Sequence, residues 1–241
     1  MDKLANTFEK SFLKINTEKT EYTIVRRCDE RHKGKWRHTK KFGTLLGDTE
    51  DMIRRKSLAT FALKRLNNIW LRGKKISASL KIKLYNMFVK PVLLYNSSSW
   101  ALTVQEMKNL NSFHRMQLKY ILGIFWPKRI SNKHLYSRYN AHPLDEEIRC
   151  NRWGLFGHIL RMDRKTHANL AMEHHYAPHP GTNFRGRPRI TLPTLLHQDL
   201  TLIGKRLKSA DNLEHLRELS RNRGTRKRLT KRIQKRVAQA R

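Results

Sequence analysis

The chain has 241 residues and carries 52 lysines and arginines against 19 aspartates and glutamates, a formal net charge of +33. This length allows one or two domains with a hydrophobic core. Solubility alone needs a net charge of only about 2 to 8 in a small domain, so an excess this large predicts a polyanionic partner. No apolar run reaches the ~20 residues of a transmembrane helix, which argues against a membrane protein.

In chain order, the first 50 residues predict little regular structure. Residues 22–25 form a short β-prone run, and Gly43 and Gly47 suit a hairpin or tight turn around residues 44–46. Asp48 is then the expected N-cap of a helix that ends near Trp70. Its expected buried face consists of Leu58, Phe61, Ala62, Leu66 and Ile69.

Two further helices follow before residue 125. Ser77 or Ser79 is expected to cap the first helix, and Pro91 is expected to kink or break it. The apolar positions of this helix are Leu80, Leu84, Met87 and Phe88. Thr103 and Glu106 form a capping box for the second, and Gly123 is its expected C-cap. The apolar positions of this second helix are Val104, Met107, Leu110, Phe113, Leu118, Ile121 and Leu122.

The remaining chain predicts shorter helices and a basic tail. We expect a helix over residues 131–139 and another from near Pro143, with acidic residues in its first turn. Residues 174–194 hold four prolines and two glycines, which indicates an extended linker. The tail from 195 has a helical pattern and becomes almost wholly polar after Ser220. The sequence therefore predicts a mainly α fold, a helical bundle with a small N-terminal β segment and a helical or disordered basic tail.

Five short motifs occur in order between residues 13 and 190: L-K-I-N-T-E-K-T-E at 13–21, T-L-L-G at 44–47, K-P-V-L-L-Y at 90–95 with Trp100 after it, G-H-I-L-R-M at 157–162 and R-G-R-P-R at 185–189. Together they resemble segments of the reverse transcriptases of non-LTR (LINE-type) retrotransposons. Leu45 stands where that family usually has tyrosine, and Asn96 where it usually has glycine. The family's catalytic Asp-Asp motif is expected before residue 13, and it is absent from the sequence.

The resemblance implies five regions. They are a palm remnant at 1–50 with a primer-grip-like turn at Leu45, Leu46 and Gly47, a thumb-like helical domain at 51–125, a C-terminal helical subdomain at 126–173, a Pro/Gly/Arg linker at 174–194 and a basic tail at 195–241. The implied function is that of a C-terminal portion of an RNA-directed DNA polymerase, which grips template–primer but lacks the catalytic aspartates and is inactive alone. The missing fingers and palm half would be its partner. The alternative is a domesticated, non-enzymatic RNA- or DNA-binding nuclear protein.

Catalytic chemistry is not expected in this chain. Polymerisation in the intact family enzyme uses two Mg²⁺ ions held by paired carboxylates. The acidic clusters at 48–51 and 145–147 suit the first turns of helices better than a metal site, so we predict no metal and no cofactor. By resemblance, Lys19 matches a lysine thought to donate a proton to pyrophosphate. Contact with phosphate or water is favoured in this chain, because without the metal site an acid has nothing to protonate. Cys28 and His32 lack a second ligand pair for zinc.

The nucleic-acid signals are stronger. Arg185, Arg187 and Arg189 alternate with glycine and proline, so an extended segment can present them to successive phosphates, unless it is a solvated linker. Between 221 and 236 the chain has nine basic residues and no acidic one, typical of a nuclear-localisation patch or a phosphate-binding arm: Arg221, Arg223, Arg226, Lys227, Arg228, Lys231, Arg232, Lys235 and Arg236. Lys74, Lys75, Arg161 and Arg164 lie at helix ends and could face a duplex or simply solvent.

These features predict RNA, DNA or an RNA–DNA hybrid as the partner. The N-terminus, residues 1–16, lacks the apolar region of a secretory signal. Cys28 and Cys150 are too few for a disulfide framework. We therefore expect an intracellular protein, with the nucleus favoured.

Overall fold

The computed structural model describes residues 8–10, 12, 14, 35–68, 76–177 and 190–239. A short hairpin pairs β1 (Lys40–Lys41) with β2 (Thr44–Leu45) in antiparallel register. The helices that follow are α1 (Asp48–Leu66), α2 (Ala78–Phe88), α3 (Lys90–Leu93), α4 (Val104–Leu122), α5 (Asn132–Tyr139), α6 (Leu144–Arg161), α7 (His167–Tyr176), α8 (Leu192–Thr201), α9 (Ala210–Arg221) and α10 (Arg223–Gln239). The prediction of a mainly α fold with a small N-terminal β element is confirmed.

The helices bury two hydrophobic clusters. The first lies among α1 to α5 and the beginning of α6, and its fully buried side chains include Tyr85, Leu93, Trp100, Leu110 and Leu118. The second lies among the rest of α6 and α7 to α10, and it includes Trp153, Phe156, Leu196, Leu200 and Ile233. Helix α6 contributes its first residues to the first cluster and its later residues to the second. The region boundaries expected from the resemblance stay predictions.

A buried ion cluster lies where the two clusters meet. Asp199 of α8 accepts hydrogen bonds from Arg149 Nε at 2.9 Å and Trp153 Nε1 at 3.0 Å. Arg152 is also buried, 3.9 Å from Asp199, and its Nη2 donates to the Trp100 carbonyl at 3.4 Å. Burial lowers the pKa of the Arg152 guanidinium, and the Asp199 charge opposes that shift. Because Arg152 bonds to groups in both clusters, it fixes α6 between them.

Several predicted helix ends agree with the structure, although α1 ends at Leu66 and not near Trp70. Ser77 Oγ accepts from Leu80 N at 3.3 Å, Thr103 and Glu106 form the capping box, and Gly123 ends α4 at φ 66°. Asp48 is a correction: Gly47 is the N-cap of α1, and the Asp48 carboxylate accepts from Ala101 N at 3.2 Å instead. The Asp48 side chain therefore bonds to a distant segment and does not cap α1.

The buried faces of α1 and α2 also differ from the expectation. Leu66 is buried as expected and Ala62 is half-buried, whereas Leu58 and Phe61 are exposed and Ile69 lies outside the described residues. The other buried residues of α1 are Met52, Ala59 and Leu63, with the polar Asp51 and Arg55. In α2, Leu80, Met87 and Phe88 are exposed, and the buried residues are Ile82 and Tyr85. Both helices carry apolar residues around most of their circumference, so hydrophobic spacing alone did not mark the face that packs.

The C-terminal part is more regular than expected. Residues 174–176 of the predicted linker belong to α7, and residues 192–194 belong to α8, so both ends of that segment are helical rather than extended. The tail forms α9 and α10, so the helical alternative is observed over residues 210–239. The β-prone run at 22–25 and the linker residues 178–189 lie outside the described residues.

Candidate nucleic-acid interface

Helix α10 presents a continuous basic surface. Its exposed side chains are Arg223, Lys227, Arg228, Lys231, Arg232, Lys235 and Arg236. At 100° per residue these positions cover about 220° of the helix circumference, and the 17-residue helix is about 25 Å long. Ile233 is fully buried on the opposite side, with Leu229 and Val237 packed beside it. We call the seven exposed side chains the α10 basic face.

Apolar packing holds this surface in place. Like charges three and four residues apart weaken an isolated helix, and α10 has no acidic residue. Burial of Ile233, Leu229 and Val237 in the second cluster offsets that repulsion. The α10 basic face is therefore fixed relative to α6.

Arg226 differs from its basic neighbours. It is half-buried, and its Nη1 donates to the Trp153 carbonyl at 3.3 Å and to the Gly154 carbonyl at 3.4 Å. It crosses α6 at Gly157, where a Cβ would lie 2.3 Å from Arg226 Cδ. Of the predicted phosphate ligands in 221–236, Arg226 is thus engaged in helix packing.

The structure places Arg161 beside the start of α10. Arg161 Nη1 donates to the Ser220 carbonyl at 3.3 Å. Desolvation, and then the positive charges of Arg226 and Arg223, lower the pKa of its guanidinium. Arg164 is exposed and paired with Glu214 at 2.7 Å. Arg161 therefore extends the positive surface of α10, whereas an acidic neighbour partly neutralises Arg164.

The turn that contains Leu45, Leu46 and Gly47 is held by a residue that the sequence did not single out for it. Asp51 is fully buried and accepts from Thr44 Oγ1 at 2.7 Å, Leu45 N at 3.0 Å and Trp100 Nε1 at 3.1 Å. Its position in the first turn of α1 had suggested only a helix-dipole role. The only sign in the sequence that Asp51 has another role is Arg55, which lies four residues later and can pair with it on the same helix face.

The tip of the β1–β2 hairpin is held by side chains of α1 and by Tyr95. Arg54 Nη1 donates to the Gly43 carbonyl at 2.9 Å, and Arg55 donates to the same carbonyl. Tyr95 Oη donates to the Phe42 carbonyl at 3.0 Å, and its ring lies under the Arg55 guanidinium at 4.4 Å. Gly47 has little room for a side chain, because a Cβ there would lie 2.7 Å from Arg37 Cβ. The motifs at 44–47 and 90–100 are in direct contact, because Asn96 Nδ2 donates to Thr44 Oγ1 at 3.5 Å.

Several predicted site residues lie outside the described residues. They are Lys19, Lys74, Lys75, Arg185, Arg187 and Arg189. Within the described ranges, no group of three or more His, Cys, Asp or Glu side chains is placed to hold a metal ion. The carboxylates at 48–51 instead bond to the backbone, to Trp100 and to Arg37.

No protein-family model, curated protein or solved structure matches this chain. Among the described residues, no helix is both long and apolar enough to cross a membrane.

Proposed function

We propose that the chain binds the phosphate backbone of RNA, DNA or an RNA–DNA hybrid through the α10 basic face. The observation that carries this proposal is the set of seven exposed lysines and arginines on one packed helix without an acidic residue. Each phosphate contact releases condensed counterions, so the affinity gained depends on how many charges reach the backbone together. A rigid helix presents them together without the ordering cost of a flexible arm.

We further propose that the chain is a C-terminal portion of a non-LTR reverse transcriptase that grips template–primer. The five motifs support this proposal. So do the hydrogen bonds that join two of them, through Asp51 to Leu45 and Trp100 and directly from Asn96 to Thr44. The sequence has no adjacent pair of aspartates, so the chain by itself should not extend a primer.

A domesticated, non-enzymatic nuclear binder is the second candidate. The packing of α10 on α6 favours it, because this surface is held within the chain and needs no other polymerase part. The coding sequence upstream of Met1 separates the two candidates. Fingers and an Asp-Asp motif in frame would support the polymerase origin.

The binding proposal is tested by fluorescence anisotropy over a salt series with labelled duplex DNA, RNA and RNA–DNA hybrid. The test variant replaces four residues of the α10 basic face: Lys227→Gln, Arg228→Gln, Lys231→Gln and Arg232→Gln. On duplex DNA each lost contact reduces the slope of log affinity against log salt by about 0.9. We expect the slope to flatten by up to about 3.6 units.

The matched control removes four exposed charges that are scattered over the chain: Lys64→Gln, Lys83→Gln, Lys108→Gln and Lys165→Gln. It lowers the net charge by the same amount, and we expect its slope to change by less than about one unit. If both variants flatten the slope equally, binding depends on overall charge and the α10 proposal is wrong.

A further inference from the structure

A second surface of different chemistry lies at the end of α4. Residues 124–129, which we call the aromatic strap, follow the Gly123 C-cap and lead toward α5. Trp126 is 84% exposed and Phe125 is 57% exposed. Tyr120 of α4 contacts Phe125 edge to face, with ring centroids 6.2 Å apart. Large aromatic side chains usually stabilise a fold by being buried, so a group of exposed aromatic residues indicates a binding surface.

Two adjoining grooves lie along the strap. One, of about 590 Å³, is bordered by the three aromatic residues together with Arg115 and Lys119. The other, of about 560 Å³, is bordered by Lys128, Arg129 and Arg138. Ile124 lines both grooves, and none of the described residues that line either of them is acidic. The surface therefore combines exposed rings with positive charge on both sides.

This combination suits unpaired nucleotides better than a duplex. Base faces in a duplex are covered by their neighbours, and the phosphates alone need no aromatic partner. A single strand exposes its base faces, which stack on aromatic rings, while lysines and arginines follow the backbone. An apolar protein partner would pack on the rings, but it would gain nothing from the lysines and arginines that border the grooves.

We propose that the aromatic strap is a binding site for single-stranded nucleic acid, separate from the α10 basic face. Bases stack on Trp126 and Phe125. Arg115 and Lys119 contact phosphates on one side, and Lys128 and Arg129 contact them on the other. Stacking on rings is tolerant of base identity, so the site has little sequence preference.

The test uses the full chain and three labelled probes: a ten-nucleotide oligothymidylate, an abasic strand with the same number of phosphates, and a ten-base-pair duplex. Replacing Phe125 and Trp126 together by alanine should weaken oligothymidylate binding by about 5- to 100-fold. Binding of the abasic strand and the salt slope on duplex should stay unchanged. Trp126→Phe should keep most of the affinity, and Phe61→Ala, which removes an exposed ring from α1, should have no effect.

A second measurement does not depend on the alanine variant folding correctly. Stacking on Trp126 should quench the intrinsic fluorescence of the unmodified chain when oligothymidylate binds, and this quenching should be absent with the abasic strand and in Trp126→Phe. Equal losses for the two single-stranded probes would overturn the proposal, because the contacts would then be electrostatic only. Unchanged oligothymidylate affinity in the double variant would also overturn it and would favour a protein partner. Neither result affects the duplex salt slope, which tests the α10 basic face.

Discussion

Asp51 has no contact with solvent, and its two carboxylate oxygens accept three hydrogen bonds from β2 and Trp100. Arg55 lies 3.5 Å away and is also buried. Removing the carboxylate would leave these donors without their acceptor and the buried Arg55 charge without an acidic counterion. We expect Asp51→Ala to lower the free energy of unfolding by about 3–5 kcal/mol, measured by chemical denaturation.

Glu50 provides the control, because it is an acidic residue in the same helical turn. It pairs with Arg37 at 3.4 Å in a partly exposed position. Such pairs contribute about 0–1 kcal/mol, so Glu50→Ala should change the stability by no more than that. Equal effects of the two substitutions would show that Asp51 acts only on the helix dipole.

His114 is a buried histidine of α4 whose Nδ1 lies 2.9 Å from Tyr85 Oη. Burial, and then the charges of Lys90 and Arg115, lower the pKa of its imidazole from 6.5 to about 4. The neutral form is therefore favoured by folding, and its contribution to stability is complete above pH 6.5. That contribution is lost as the pH falls toward 4, by about 3 kcal/mol in total.

Denaturation at a series of pH values tests this expectation. His114→Gln should flatten the fall in stability between pH 6.5 and 4, because its side chain does not titrate. His158→Gln, which changes an exposed histidine of α6, should leave the profile of the unmodified protein intact. If the stability of His114→Gln and of the unmodified chain fell in parallel with pH, the lowered pKa of His114 would be contradicted.

At the scale of elements, the crossing of α6 and α10 depends on two glycines with different surroundings. A Cβ at Gly157 would lie 2.3 Å from Arg226 Cδ, whereas a Cβ at Gly154 would lie 3.8 Å from the nearest atom, Arg226 Nη1. Alanine favours a helix over glycine by about 1 kcal/mol. Gly154→Ala should therefore be neutral or stabilising by up to about that amount.

Gly157→Ala gains the same helix propensity but must displace Arg226 from its bonds to the Trp153 and Gly154 carbonyls. Overpacking typically costs about 1–3 kcal/mol, so this variant should be less stable than Gly154→Ala by about 1 kcal/mol or more. Thermal denaturation of the two variants measures the difference. A Gly157→Ala protein as stable as Gly154→Ala would show that Arg226 moves aside without loss.

The helix ends were predictable because their causes are local. The capping box at Thr103 and the C-cap at Gly123 each depend on residues within one turn. The buried faces of α1 and α2 depend instead on which neighbour covers them. Asp51 and Arg55 are buried because they bond to the hairpin and to Trp100, contacts that a hydrophobic pattern does not contain.

For the whole molecule, the sequence predicted the positive charge and its density after residue 220, but not its arrangement. The apolar side chains Leu229, Ile233 and Val237 are spaced for packing on α6, yet among nine basic neighbours they did not mark a buried face. The aromatic strap was not predicted either, because its two rings fall between two expected helices and show no spacing typical of a site. Exposure, which distinguishes a binding surface from a core, is a property of the folded chain.

The course of α6 through both hydrophobic clusters has a consequence for cooperativity. Ile148 belongs to the first cluster and Trp153 to the second, so neither can open without exposing part of the same helix. Intrinsic tryptophan fluorescence and far-UV circular dichroism of the unmodified chain should report the same denaturation midpoint. In native-state hydrogen exchange, the central amides of α6 should exchange only through global unfolding, and so set the slowest rate in the protein.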